Sequence, residues 1–164
     1  MQVCFNKHSK KSRKVIRNQE TLKSIKQLIT SSIGETLLAG EQFGSILNPG
    51  DIVLLKGNLG SGKTHFVKGV ARSFHIPENA VQSPTFSLIH EYPGDVSLYH
   101  IDAYRLHGPQ EALELGLEEY LYSDGICLIE WPEKIEALLP NECWIVEMKH
   151  VDENRRQISI RQQD

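Results

Sequence analysis

The chain has 164 residues, of which 40% are apolar, 24% charged and 7% aromatic. That balance excludes a disordered polypeptide and suits one globular domain large enough to bury a core. A net charge of −3 gives the molecule as a whole no electrostatic mandate for nucleic acid.

The charge is nevertheless unevenly spread. Lys7, Lys10, Lys11, Arg13, Lys14 and Arg17 crowd the start, and no acid precedes Glu20. Such an arm is either a solvated tail or a contact for RNA or an acidic partner. Residues 1–30 read as a basic N-terminal extension, and 31–164 as the folded domain. Within the extension, Leu22, Ile25, Leu28 and Ile29 form a short apolar stripe whose extent the pattern does not fix. Ser32 and Glu35 then have the spacing of a helix capping box. Leu37, Leu38, Phe43, Ile46 and Leu47 recur at helical spacing until Asn48-Pro49-Gly50 breaks the pattern.

Asp51 opens the run Ile52-Val53-Leu54-Leu55, which is short and apolar on both faces, as a buried parallel strand is. A glycine-rich turn follows, and Phe66, Val67, Val70, Ala71 and Phe74 mark a second helix. Val96 to Ile101 and Ile126 to Ile129 are further strands, each followed by an acid, with a helix over Pro109 to Tyr120 between them. From Cys143, the apolar Trp144-Ile145-Val146, the turn Asp152-Glu153-Asn154, and Ile158 with Ile160 predict a C-terminal hairpin. Strands alternating with helices predict an α/β fold with a mainly parallel sheet flanked by helices.

The three cysteines, Cys4, Cys127 and Cys143, are widely spaced and form no paired motif. Cys127 and Cys143 sit in apolar runs, where cysteine serves as a small core residue. No disulfide framework, bilayer-length apolar stretch or apolar signal core is visible, so a cytoplasmic protein without a membrane segment is expected.

Residues 57–64 read G-N-L-G-S-G-K-T, a full match to G-x-x-x-x-G-K-S/T between a strand pattern and a helix pattern. Gly57, Gly60 and Gly62 allow left-handed backbone and close approach to phosphate oxygens. The turned backbone aims N–H groups inward, and the next helix adds its positive end. In such a loop Lys63 reaches the β- and γ-phosphates, and the Thr64 hydroxyl ligates Mg²⁺. The pattern predicts a purine triphosphate held with Mg²⁺.

Two acids end apolar strands: Asp102 after V-S-L-Y-H-I and Glu130 after G-I-C-L-I. Ligands of open α/β sheets sit outside the carboxyl ends of the strands, so both acids stand in the right place. Glu130 reads as a metal-side acid and Asp102 as the residue that polarises water or shares the metal. Acids at strand ends also cap helices or pair with lysine. His100 lies two residues before Asp102 on the same strand face, either as a buried support or, less in keeping with its pattern, as half of a metal pair. His65 falls in the first helical turn, near the phosphates. Ser83-Pro84-Thr85 is either a proline turn or a switch that presents a threonine to the γ-phosphate.

Together these residues resemble the TsaE family (also called YjeE), small ATPases needed to make threonylcarbamoyl-adenosine in tRNA. The resemblance runs from Ile33 to Ile160 and rests on G-N-L-G-S-G-K-T-H-F, S-P-T-F-S-L at 83–88 and H-I-D-A-Y-R-L at 100–106. It continues through E-A-L-E-L-G at 111–116, I-C-L-I-E-W-P at 126–132 and Leu139-Pro140. It implies a P-loop fold in which Thr64 and Glu130 hold Mg²⁺ and Asp102, with Lys63, serves hydrolysis. By the same resemblance Asn58, Gly60, Ser61, Gly62 and His65 surround the phosphates, Trp131 lies beside the nucleotide, and Thr85 falls in the switch segment. Ile33 and Thr36 would border the base, and Arg155 would reach back from the hairpin turn. The implied partners are TsaD- and TsaB-like proteins, and tRNA through that complex; hydrolysis is then a conformational step and the transfer belongs to TsaD. The chain departs from the family pattern at Asn58, where aspartate is usual, and at Ser61 and His65.

Two other classes compete. A small-molecule kinase needs a cationic lid, and after Thr64 only scattered basic residues such as Arg72 and Arg105 occur. A regulatory GTPase switch needs N-K-x-D after the loop. The Asn6-Lys7 pair precedes it and lacks the aspartate.

Overall fold

The computed structural model describes residues 26–163. Cys4, Leu22, Ile25 and the basic arm of Lys7 to Arg17 lie outside the described residues. The Leu28–Ile29 stripe belongs to β1 (Lys26–Thr30). Helix α1 (Ile33–Gly44) follows, then β2 (Ile52–Lys56), α2 (Lys63–Arg72), β3 (Ile89–Tyr92) and β4 (Leu98–Asp102). Helices α3 (Pro109–Glu114) and α4 (Leu117–Leu121), β5 (Ile126–Glu130), β6 (Cys143–His150) and β7 (Arg156–Gln163) complete the order. The strands form one seven-stranded sheet, ordered β1-β7-β6-β2-β5-β4-β3.

The four central strands, β6, β2, β5 and β4, run parallel; β7 and β3 border them antiparallel, and β1 pairs antiparallel with β7 at the outer edge. Every residue of β2 from Ile52 to Leu55 is buried because strands flank it on both sides and helices or loops cover both faces. On one face Val53 and Leu55 join Phe66, Val67 and Val70 of α2 and Phe43 of α1. On the other, Ile52 and Leu54 join Ala112, Leu117 and Ile135.

Half of the predicted capping box forms: Ser32 Oγ accepts from Glu35 N at 3.1 Å, while Glu35 Oε2 reaches one residue past the cap and accepts from Ser31 N at 2.7 Å. Helices α1 and α2 pack through glycines. A Cβ on Gly40 would strike the Phe66 carbonyl, and one on Gly69 would strike the Leu37 carbonyl. That close approach fixes the helix that begins at Lys63.

The helix expected over Pro109 to Tyr120 is two helices. Gly116 at φ 75° takes left-handed backbone between them and turns the chain. Strand β3 escaped the pattern because it is a four-residue edge strand with only Tyr92 buried. The C-terminal hairpin is present, with β6 and β7 paired from Cys143↔Gln163 to His150↔Arg156. Cys127 and Cys143 are free and buried, and burial pushes the Cys127 thiol up to about 12.

Candidate active site

The site stands at the carboxyl ends of the parallel strands. Strand β2 delivers the loop 57–62 directly onto α2. Gly62 at φ 101° caps α2 in left-handed backbone that a side chain adopts only with strain. A Cβ on Gly57 would stand 2.5 Å from the Met148 carbonyl, so β6 presses the loop into its turn. As the first helical residues, Lys63, Thr64 and His65 carry N–H groups that no helical carbonyl can accept. The positive end of α2 therefore opens into the cleft.

Lys63 is buried, and its Nζ donates to the carbonyls of Gly57 at 2.8 Å and Asn58 at 3.2 Å. The same ammonium lies 3.5 Å from Glu130 Oε2 and 5.5 Å from the centre of the Trp131 ring. Trp131 holds left-handed backbone at φ 55°, uncommon for a bulky residue, and packs 5.1 Å from Tyr104. Glu130 Oε1 is held at 2.8 Å by His100 Nε2. Burial works to raise the Glu130 pKa, but the His100 bond and the Lys63 ammonium outweigh it and hold the carboxyl below its ordinary value.

Asp102 is the register partner of Glu130 on the neighbouring parallel strand, so two buried carboxylates stand side by side. Asp102 Oδ1 caps a short 3₁₀ turn by accepting from Tyr104 N at 3.0 Å. Its Oδ2 accepts from the Thr85 hydroxyl at 2.8 Å, and Ser83 Oγ lies 2.8 Å from the Thr85 oxygen.

A cavity of about 430 Å³ opens over this floor. Gly60, Gly62, Lys63, Thr64, His65 and Thr85 line it, with Asp102, Glu130 and Trp131. Five other residues singled out from the sequence do not line it. Ile33 is exposed at the start of α1, and Thr36 is buried in hydrogen bonds to Thr30 Oγ1 and the Ser32 carbonyl. Asn58 is exposed, with its carbonyl turned to Lys63. Ser61 is buried, and its hydroxyl has no hydrogen-bond partner among the described residues. Arg155 is tied within the hairpin turn to Asp152, Nε to Oδ2 at 2.6 Å. Reasoning from sequence passed over Tyr104 and Leu59 as lining residues, and named Ser83 only as part of the 83–85 segment. Tyr104 falls inside the motif D-A-Y-R but has no spacing that marks it. Leu59 reads as an ordinary loop residue.

The donors on the cavity that suit a metal are hard oxygens, the Thr64 hydroxyl and the two carboxylates. Among the described residues no group of three or more His, Cys, Asp or Glu side chains is placed to hold an ion. That set fits Mg²⁺, which keeps waters and takes substrate phosphates as ligands, better than a cation needing an all-protein cage.

The family model described as threonylcarbamoyl adenosine biosynthesis protein TsaE matches residues 30–158. The chain belongs to the TsaE family. Among its relatives, the tRNA threonylcarbamoyladenosine biosynthesis protein TsaE of Rickettsia bellii is 42% identical over 135 residues, 82% of this chain and 93% of that protein. TsaE of Treponema pallidum is 36% identical over 80% of this chain and 97% of its own length. TsaE of Bacillus subtilis is 40% identical over 77% and 78% respectively. The crystal structure of B. subtilis YdiB superposes with a TM-score of 0.68 at 35% identity, covering 84% of this chain and 86% of that one. The TsaE match gives the chain a role in tRNA threonylcarbamoyladenosine biosynthesis.

Proposed function

We propose that this TsaE-family chain hydrolyses ATP with Mg²⁺ and that its hydrolysis cycle supports TsaD- and TsaB-like partners in modifying tRNA. The observation that carries the reading is one cavity floored by the glycine loop, Lys63, Thr64 and the adjacent strand-end carboxylates Asp102 and Glu130.

The backbone N–H groups at the start of α2 bind and orient the polyphosphate. Lys63 exchanges its loop carbonyls for the β- and γ-phosphates, a swap that keeps the ammonium bonded throughout. Thr64 and Glu130 are the side chains that would hold Mg²⁺, which supplies neutralisation of the phosphate charge. Asp102, already accepting two hydrogen bonds, orients the attacking water. Thr85 joins the 83–85 segment to that carboxylate, so the segment responds to whatever Asp102 binds. Trp131 and Tyr104 wall the cavity and exclude bulk water from its floor.

ATP is favoured over GTP because no N-K-x-D follows the loop. Phosphate release, measured with and without TsaD- and TsaB-like proteins, tests the reading. Slow release alone and faster release with both partners is expected. Equal rates would refute the accessory role, and no release in either condition would refute the ATPase.

A further inference from the structure

His100 is the one fully buried histidine among the described residues, and its Nδ1 has no hydrogen-bond partner. It shares a sheet face with Leu98, which packs in the cluster containing Phe66 and Val67 of α2. Its backbone is clamped between Leu128 of β5 and His90 of β3. An ionised carboxylate only accepts, so the 2.8 Å contact to Glu130 Oε1 requires the proton on Nε2.

Glu130 thus has two unlike partners. Oε1 is held by a rigid imidazole inside the sheet, and Oε2 by the ammonium of Lys63 at 3.5 Å. Lys63 is the group that leaves for the phosphates in the ATPase reading above, on which this inference rests. When it leaves, a buried carboxylate with a single flexible partner would swing toward any remaining donor.

We propose that His100 is a positioning residue that clamps Oε1, so that Oε2 alone stays aimed into the cavity while Lys63 changes partners. His100 touches neither nucleotide nor cation. It acts through the orientation of Glu130, and such supporting partners are typically worth about 10–100-fold in metal affinity.

Gln reproduces the donor position because its amide nitrogen lies as many bonds from Cα as Nε2 does. Asn places its amide at the Nδ1 position, short of Glu130. His100→Gln, His100→Asn and His100→Leu are compared by calorimetric titration with ATP in EDTA and with ATP in Mg²⁺, after thermal melts establish that each variant is folded. The Mg²⁺-dependent gain in ATP affinity is expected to fall about 10–100-fold in His100→Asn and His100→Leu, and to return in His100→Gln. Affinity in EDTA is expected to match wild type in all three, because Lys63 and the loop amides carry it. A gain unchanged in His100→Leu, a failure of His100→Gln to rescue, or equal losses with and without Mg²⁺ would overturn the assignment. Wild-type protein that binds no MgATP would instead overturn the ATPase reading itself.

Discussion

Lys63→Met keeps the aliphatic stem and removes the ammonium, which donates to Gly57 and Asn58 and faces Glu130. Breaking a buried ion pair by removing one partner costs about 3–5 kcal/mol, and a hydrogen bond to a charged group contributes about 1.5–3 kcal/mol. Two features reduce the cost here. Asn58 is exposed, so its freed carbonyl meets water, and His100 still holds Glu130 Oε1. The ligand-free fold should therefore lose about 1–3 kcal/mol at pH 7. The loss is tied to the charge on Glu130. Because folding depresses that pKa, the carboxylate contributes stability above its unfolded value and loses it as pH falls through the folded one. Removing Lys63 weakens that depression, so the gap between wild type and Lys63→Met should narrow as Glu130 protonates. Urea denaturation across pH 7 to the acid range reads the gap, with ATP titrations alongside. A gap independent of pH, or ATP affinity unchanged by the substitution, would refute the reasoning.

Asp102→Asn should leave ATP affinity unchanged and slow phosphate release about 10²–10⁴-fold, read by single-turnover kinetics. Thr85→Val removes the donor to Asp102 Oδ2, so amides of 83–88 should exchange hydrogen faster while those of β2 and β5 hold. Gly69→Ala drives a Cβ into the Leu37 carbonyl. Against a helix-propensity gain of about 0.5–1 kcal/mol, overpacking of about 1–3 kcal/mol should lower the melting temperature by several degrees. A rise in melting temperature would show that α1 and α2 do not meet through these glycines.

The centre of the fold was legible because its local and global requirements coincide. Ile52 to Leu55 must be apolar on both faces to sit between β5 and β6, and that demand is written as an unbroken run. The loop after it needs left-handed backbone at Gly60 and Gly62, and glycine is the residue that supplies it. What escaped depends on register between distant segments. Strand β1 pairs with β7 at the far end of the domain, so Leu28 and Ile29 show a stripe without an extent. The break at Gly116 falls inside a pattern that remains helical on both sides.

The same distinction governs the site. Asp102 and Glu130 were visible as acids that end strands, but a strand end allows two readings, a cap or ion pair on one side and a ligand-facing carboxylate on the other. The structure shows why the two need not compete. Asp102 caps the turn at Tyr104, and Glu130 pairs with Lys63, while both line the cavity. A buried carboxylate must have partners or lose its charge, so the contacts that make it look structural are the ones that keep it aimed. Which of those partners is exchangeable separates the roles. Lys63 reaches its carboxylate from the first turn of α2 and Thr85 from the 83–85 loop, whereas His100 and the Tyr104 amide belong to the strand and to the turn that ends it. Ligand binding on this floor should redistribute the first pair and leave the second pair unmoved.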